Sequence, residues 1–126
     1  MKSINQKYEI KAPVSEVWQA LVNPKIIADL GAGPAKMNEK VGTKFSLWGG
    51  DIYGKNIEVV KEKKLVQEWF GGKWEKPSIL TLILIGKEGV TELDLIQTDV
   101  PNEEVKDISQ GWKDYYIGPM IEMLQK

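Results

Sequence analysis

A chain of 126 residues with 17 Lys and Arg against 18 Asp and Glu carries a formal net charge of −1, so its overall field points neither to nucleic acid nor to an anionic membrane. It contains neither cysteine nor histidine, which removes disulfides, thiolate nucleophiles, zinc–thiolate sites, the commonest metal ligand and the commonest acid–base group at neutral pH. Its length suits a single domain over residues 1–126. With no apolar leader and no run of ~18 apolar residues, it reads as a soluble protein of the cytoplasm.

In chain order, residues 3–10 alternate, with Ile4, Tyr8 and Ile10 on one side and Asn5, Lys7 and Glu9 on the other, as in a half-buried strand. Pro13 marks a helix start, and Val14, Val17, Trp18 and Leu21 give it an apolar face before Asn23-Pro24 ends it. A second short helix is predicted from Lys25 to about Asp29. The loop of Gly31, Gly33 and Pro34 lacks the lysine and the serine or threonine of a phosphate cradle. From there, short turns separate strand-like segments at Thr43–Trp48, Ile52–Val60, Leu65–Phe70, Ile79–Ile85 and Val90–Thr98, which together predict an antiparallel meander. Gly71–Ser78 is its longest irregular piece.

The run Asn102–Lys126 reads as one amphipathic helix, roughly 36 Å long at ~1.5 Å per residue. Val105, Ile108, Trp112, Tyr115, Pro119 or Met120, and Met123 or Leu124 form its core stripe. Ile117 and Ile121 add a second stripe, and Gly118-Pro119 predicts a kink because proline offers no N–H to the Tyr115 carbonyl. Strand, two short helices, meander and long terminal helix define an α+β fold in which a curved sheet wraps the helix. If Leu80, Leu82 and Leu84 face that helix, Ile79 and Ile83 point outward, together with Ile96, Val66 and Phe70.

The segment Ser109-Gln110-Gly111-Trp112-Lys113-Asp114-Tyr115-Tyr116 resembles the C-terminal domain of activators of the ninety-kilodalton heat-shock chaperone's ATPase, and their single-domain prokaryotic relatives. These belong to the START-like, helix-grip (SRPBCC) superfamily. Pro13 with Val17 and Trp18, Pro34-Ala35, Gly42 with Lys44-Phe45, Gly54, Trp69, Trp74 and Thr91-Glu92-Leu93 agree with it, so the resemblance covers the chain from Lys11 onward. It implies a helix-grip fold and a non-enzymatic, co-chaperone-like binding protein. Superfamily relatives that hold lipids, polyketides or other apolar molecules imply the alternative, a carrier or sensor of a small hydrophobic ligand.

Catalysis would need a carboxylate pair or a displaced acid–base group in a cleft. The candidates are Asp51, Glu92 and Asp94, and the phase of Leu93 and Leu95 turns Glu92 and Asp94 toward solvent; no catalytic residue is assigned. For an apolar ligand, Trp69, Leu82, Leu95, Trp112, Tyr116 and Met120 are the expected lining of a cavity between helix and sheet. For a protein partner or a homodimer, Val66, Ile79, Ile83 and Ile96 are the expected patch on the outer sheet face. Lys61, Lys63 and Lys64 read as a solvated turn. No cofactor, metal, nucleic-acid or membrane site is expected.

Overall fold

The computed structural model describes residues 2–72 and 74–125 of the chain. Its elements follow the order β1 (Lys2–Ile10), α1 (Val14–Val22), α2 (Pro24–Ile27), β2 (Lys44–Leu47), β3 (Ile52–Val60), β4 (Lys64–Gly71), β5 (Ser78–Lys87), β6 (Val90–Val100), α3 (Val105–Gly111) and α4 (Gly118–Leu124). The six strands form one antiparallel sheet in the order β1-β6-β5-β4-β3-β2. The meander is therefore continuous from β2 to β6, and β1 closes it from the far side.

Period-two alternation gives the sheet an inner and an outer face. Along β5, Leu80, Leu82 and Leu84 are at most 3 % exposed, while Ile79, Thr81 and Ile83 are only partly covered. Full burial of each leucine contributes about 1.5–3 kcal/mol, and a one-residue slip would move all three to the wrong face. On β6 the same alternation buries Leu93 and Leu95 and leaves Glu92 and Asp94 on the outside. A register shift between Asn56 and Glu58 opposite β4 lets Ile57 bulge outward and turns Asn56 into the core.

The inner face holds α1 and the C-terminal rod. Pro13 precedes α1, and the Asn23 side chain caps α2 by accepting from the Lys25 and Ile26 amides at 3.0 and 3.4 Å, which satisfies donors that a helix start leaves free. A π-helical turn, Ala28–Ala32, follows α2, and Gly31 leaves it with φ of 105°. Further ties hold the rod to the first strand: Gln6 Nε2 donates to the Ser109 carbonyl at 2.9 Å, and the Lys11 amide donates to Gln125 Oε1 at 2.8 Å.

The rod is helical from Val105 to Leu124, but α3 and α4 are joined by a π turn, Trp112–Ile117. This accounts for Gly118-Pro119. A turn closed by i→i+5 bonds is wider than an α turn, so the missing N–H of Pro119 falls just after a stretch that no longer uses the i→i+4 ladder. The Gly118 amide donates to the Lys113 carbonyl, and a Cβ on Gly118 would collide with that oxygen. The wider turn also corrects the core stripe. Tyr115, expected inside, is 65 % exposed, and Tyr116 is buried in its place: the buried residues of the rod are Trp112, Tyr116, Ile117 and Met120, Ile117 being part of the expected second stripe.

Candidate functional site

Aromatic side chains fill the space between sheet and rod. Phe45 on β2 and Trp69 on β4 meet at 6.1 Å across Gly54, which pairs with both and has no side chain to separate them. Trp69 stands 5.0 Å from Trp112, Trp112 stands 5.4 Å from Tyr116, and Tyr116 meets Trp48 edge-on at 6.4 Å. These tilted and edge-to-face contacts are the arrangements that ring quadrupoles favour.

The three buried rings that carry a donor, Trp69, Trp112 and Tyr116, each have an acceptor. Trp69 Nε1 donates to Gln67 Oε1 at 2.9 Å; Gln67 Nε2 donates to Asn56 Oδ1 at 2.9 Å; Asn56 Nδ2 donates to the Asn38 and Lys40 carbonyls. Trp112 Nε1 donates to Gln97 Oε1 at 2.9 Å, and the Tyr116 hydroxyl reaches the Ala20 carbonyl at 3.3 Å. Gln97 Nε2 is the one buried side-chain donor or acceptor without a partner among the described residues. Burial pushes the Tyr116 phenol well above the usual tyrosine range, so it stays protonated and serves as a neutral donor.

Among the described residues, Leu65, Leu80, Leu82, Trp69, Trp112 and Tyr116 with others bound a gap of about 10 Å³ between sheet and rod, at the limit for one water. Of the six residues expected to line a cavity, Trp69, Leu82, Trp112 and Tyr116 surround this remnant, while Leu95 and Met120 are fully buried core. The expected space is taken up by the rings themselves, whose volume closes the gap between the curved sheet and the rod.

What remains open lies at the surface. Where α3 gives way to the π turn, Ile108, Gly111, Trp112 and Tyr115 face Trp48, Ile52 and Trp69 across a groove of about 130 Å³. Gly111 lays the helix backbone bare there, and Tyr115 forms the rim. Trp69 and Trp112 thus belong both to the core and to the groove wall. Sequence reasoning missed Trp48, Ile52 and Ile108 as lining; the nearest signal was Trp48 beside Gly49-Gly50, a large apolar residue held at a turn with φ of 51°.

Among the described residues, Tyr115 is the only ionisable one in the groove wall. Asp51 lies in the exposed turn before β3, and Glu92 and Asp94 are on the outer face, so the three carboxylates considered for catalysis are not brought together. Among the described residues no group of three His, Cys, Asp or Glu could hold a metal, and no helix is long and apolar enough to cross a membrane.

On the outer face, register brings the four patch residues around Thr81. Val66 and Ile96 flank it on β4 and β6, and Ile79 and Ile83 precede and follow it on β5. Ile85, 44 % exposed, continues the line, and Tyr53 stacks on Phe70 at 5.6 Å toward the β3 side.

The family described as Activator of Hsp90 ATPase homolog 1-like protein matches residues 11–124. The chain is 28 % identical over 116 residues to an activator of 90 kDa heat shock protein ATPase homolog of Dictyostelium discoideum, covering 89 % of this chain and 30 % of that protein. It is 28 % identical over 103 residues to the human activator homolog 1, covering 80 % and 30 %. The chain thus spans about a third of the length of the curated relatives it matches. Among solved structures, an HSP90 activator from Plasmodium falciparum superposes with a TM-score of 0.89 at 26 % identity, over 99 % of this chain and 97 % of that one. DynU16, a putative protein of the dynemicin biosynthetic locus, gives 0.79 at 19 % identity, over 100 % and 48 %.

Proposed function

This chain belongs to the Activator of Hsp90 ATPase homolog 1-like family, and from that premise we propose that it works by binding rather than by catalysis, as a cytoplasmic, co-chaperone-like module that engages a ninety-kilodalton heat-shock chaperone and raises its ATP turnover. The observation that carries this reading is the contrast between the tight packing of the described residues between sheet and rod, where a gap of about 10 Å³ remains, and an apolar relief turned outward. A carrier that held a small molecule between sheet and rod would need a pocket of about 300–1,000 Å³ there; the larger basins, of about 370 and 650 Å³, lie elsewhere, along the outer face and the end of the sheet. The groove holds about 130 Å³, close to the ~150 Å³ cavity that accommodates a single benzene ring. That is room for one apolar side chain of a protein partner, anchored between Trp48 and Trp112 with Tyr115 folding over it. Aromatic anchors of this kind carry most of the energy in protein interfaces.

The test is to mix the protein with the chaperone of its own organism and record ATP turnover and complex formation. Turnover should rise, and Tyr115→Ala should blunt the rise; neither a complex nor a change in turnover would overturn the reading. A second reading, a small apolar ligand, is favoured by one observation, the Trp69 and Trp112 rings in the groove wall. Native mass spectrometry of freshly purified protein tests it, a co-purifying mass supporting it and bare protein opposing it.

A further inference from the structure

We propose that the outer sheet face is a self-complementary, two-fold interface that takes a second copy of this chain, with the symmetry axis running along β5. This face lies away from the groove of the chaperone reading, and what singles it out is how strand register distributes side chains on either side of β5. At the level of Thr81, Val66 stands on the β4 side and Ile96 on the β6 side. At the level of Ile83, Lys64 stands on the β4 side and Asp94 on the β6 side. A two-fold rotation about a line parallel to β5 exchanges the two sides while keeping the levels. It therefore sets Val66 against Ile96 of the second copy, Lys64 against Asp94, and Ile79, Thr81 and Ile83 each against itself. At the level of Ile79 it sets Glu68 against Thr98.

The charges beyond this centre follow the same exchange. On one flank Glu9 is directly opposite Glu92, and Lys7 is opposite Asp94; with Tyr8 and Ile85 these four line one shallow basin. Like charges in register destabilise a strand pair, so this acidic corner gains from a cation supplied by a neighbour. On the other flank the β3–β4 turn carries Lys61, Glu62 and Lys63 at the end of the sheet, where they border a basin with the β5–β6 turn and the start of α1 that Ile83 and Ile85 also reach, and Lys64 lies beside Glu58 at 3.4 Å. The rotation lays the lysine-bearing turn of one copy over the acidic corner of the other, twice. An isologous contact requires such a surface, complementary to itself. Face-to-face sheets pack with their strands about 30° apart, which places the axis within about 15° of β5.

The experiment is analytical ultracentrifugation of the wild-type chain and of two variants, Lys64→Glu and Asp94→Lys, from about 5 to about 500 µM at physiological salt, where exposed charges beyond ~8 Å are screened. Each variant alone places like charges opposite each other across the axis, two carboxylates in the Lys64→Glu protein and two ammonium groups in the Asp94→Lys protein. Each should dimerise at least tenfold more weakly than wild type. In the heterodimer of an equimolar mixture, one of the two sites across the axis pairs the new carboxylate with the new ammonium group and the other keeps Lys64 against Asp94. The mixture should therefore associate at about wild-type strength. Circular dichroism and thermal melting establish that both variants fold, and Ile83→Lys, on the axis itself, should be monomeric alone and in any mixture. A wild type that stays monomeric at the highest concentration overturns the proposal, as does a dimer indifferent to these substitutions. A monomer whose Ile83→Lys variant loses the chaperone complex also overturns it, assigning the face to another protein.

Discussion

The indole rings of Trp69 and Trp112 meet at 5.0 Å, tilted by 33°, one supplied by the sheet and the other by the terminal rod. Their nitrogens point to different strands, Trp69 to Gln67 and Trp112 to Gln97, so the contact is apolar at its centre and hydrogen-bonded at both ends. It joins the two layers of the fold and forms the inner wall of the groove.

Trp112→Phe keeps a ring but leaves Gln97 Oε1 buried without a donor. The loss of indole volume and of that partner should cost about 3 kcal/mol. Adding Gln97→Leu removes the stranded amide, including the Nε2 that already has no partner, and the double variant should recover about 1 kcal/mol. Urea denaturation reads the difference. A double variant less stable than Trp112→Phe alone would show that Gln97 has another role.

Helix propensity alone says that glycine to alanine stabilises a helix by up to about 1 kcal/mol. At Gly111 an added Cβ meets nothing nearer than a Tyr115 ring carbon at 3.8 Å, and Gly111→Ala should raise the melting temperature while filling part of the groove. At Gly118 the same substitution drives the Cβ into the Lys113 carbonyl and should destabilise by about 2 kcal/mol. Opposite signs in one thermal-melting comparison are expected; a stabilising Gly118→Ala would mean that the π turn can relax to an α turn.

Burial raises the Tyr116 phenol above its unfolded value, near 10. A group with a raised folded pKa contributes its full stability below the unfolded pKa and loses it as pH climbs toward the folded one. Stability should therefore be insensitive to Tyr116 through neutral pH and fall above about pH 10, with a slope of up to about 1.4 kcal/mol per unit. Tyr116→Phe should flatten that alkaline limb. Tyr8, also raised by burial though partly exposed, should matter less, and Tyr8→Phe provides the control.

Tyr115 is 65 % exposed, so its truncation to alanine should leave stability within about 0.5 kcal/mol. If the groove takes a partner's side chain, the same truncation should weaken the chaperone complex by tenfold or more, since anchoring aromatics contribute about 2 kcal/mol each. Isothermal titration calorimetry with the isolated chaperone separates the two effects.

Much of the architecture was legible in residue spacing. The phase of Leu80, Leu82 and Leu84 against Ile79 and Ile83 was enough to assign both sheet faces, and the register gathers Val66, Ile79, Ile83 and Ile96 around Thr81 as that phase requires. Tyr115 was misplaced because a stripe read at steps of three and four assumes one constant pitch, and nothing in a linear pattern reports a turn closed by i→i+5 bonds. The filled interior was illegible for a different reason: Trp69, Trp112 and Tyr116 have the right character to line a space, and only their mutual distances show that they occupy it. Buried Asn56, Gln67 and Gln97 escaped notice because each is justified by a hydrogen-bond partner far away in sequence.

The strand β1, at one edge of the sheet, is synthesised before the other five, and its register, Ile10 opposite Thr91 and Lys2 opposite Val100, commits it to the strand made last. While the chain is still emerging from the ribosome, β1 has no native mate, and the rod that ties to Gln6 and Lys11 does not yet exist. Non-local pairings of this kind slow folding and prolong exposure of unpaired strands. A nascent chain stalled before Thr91 should remain protease-sensitive throughout, and holdase chaperones should capture it far better than they capture the released protein.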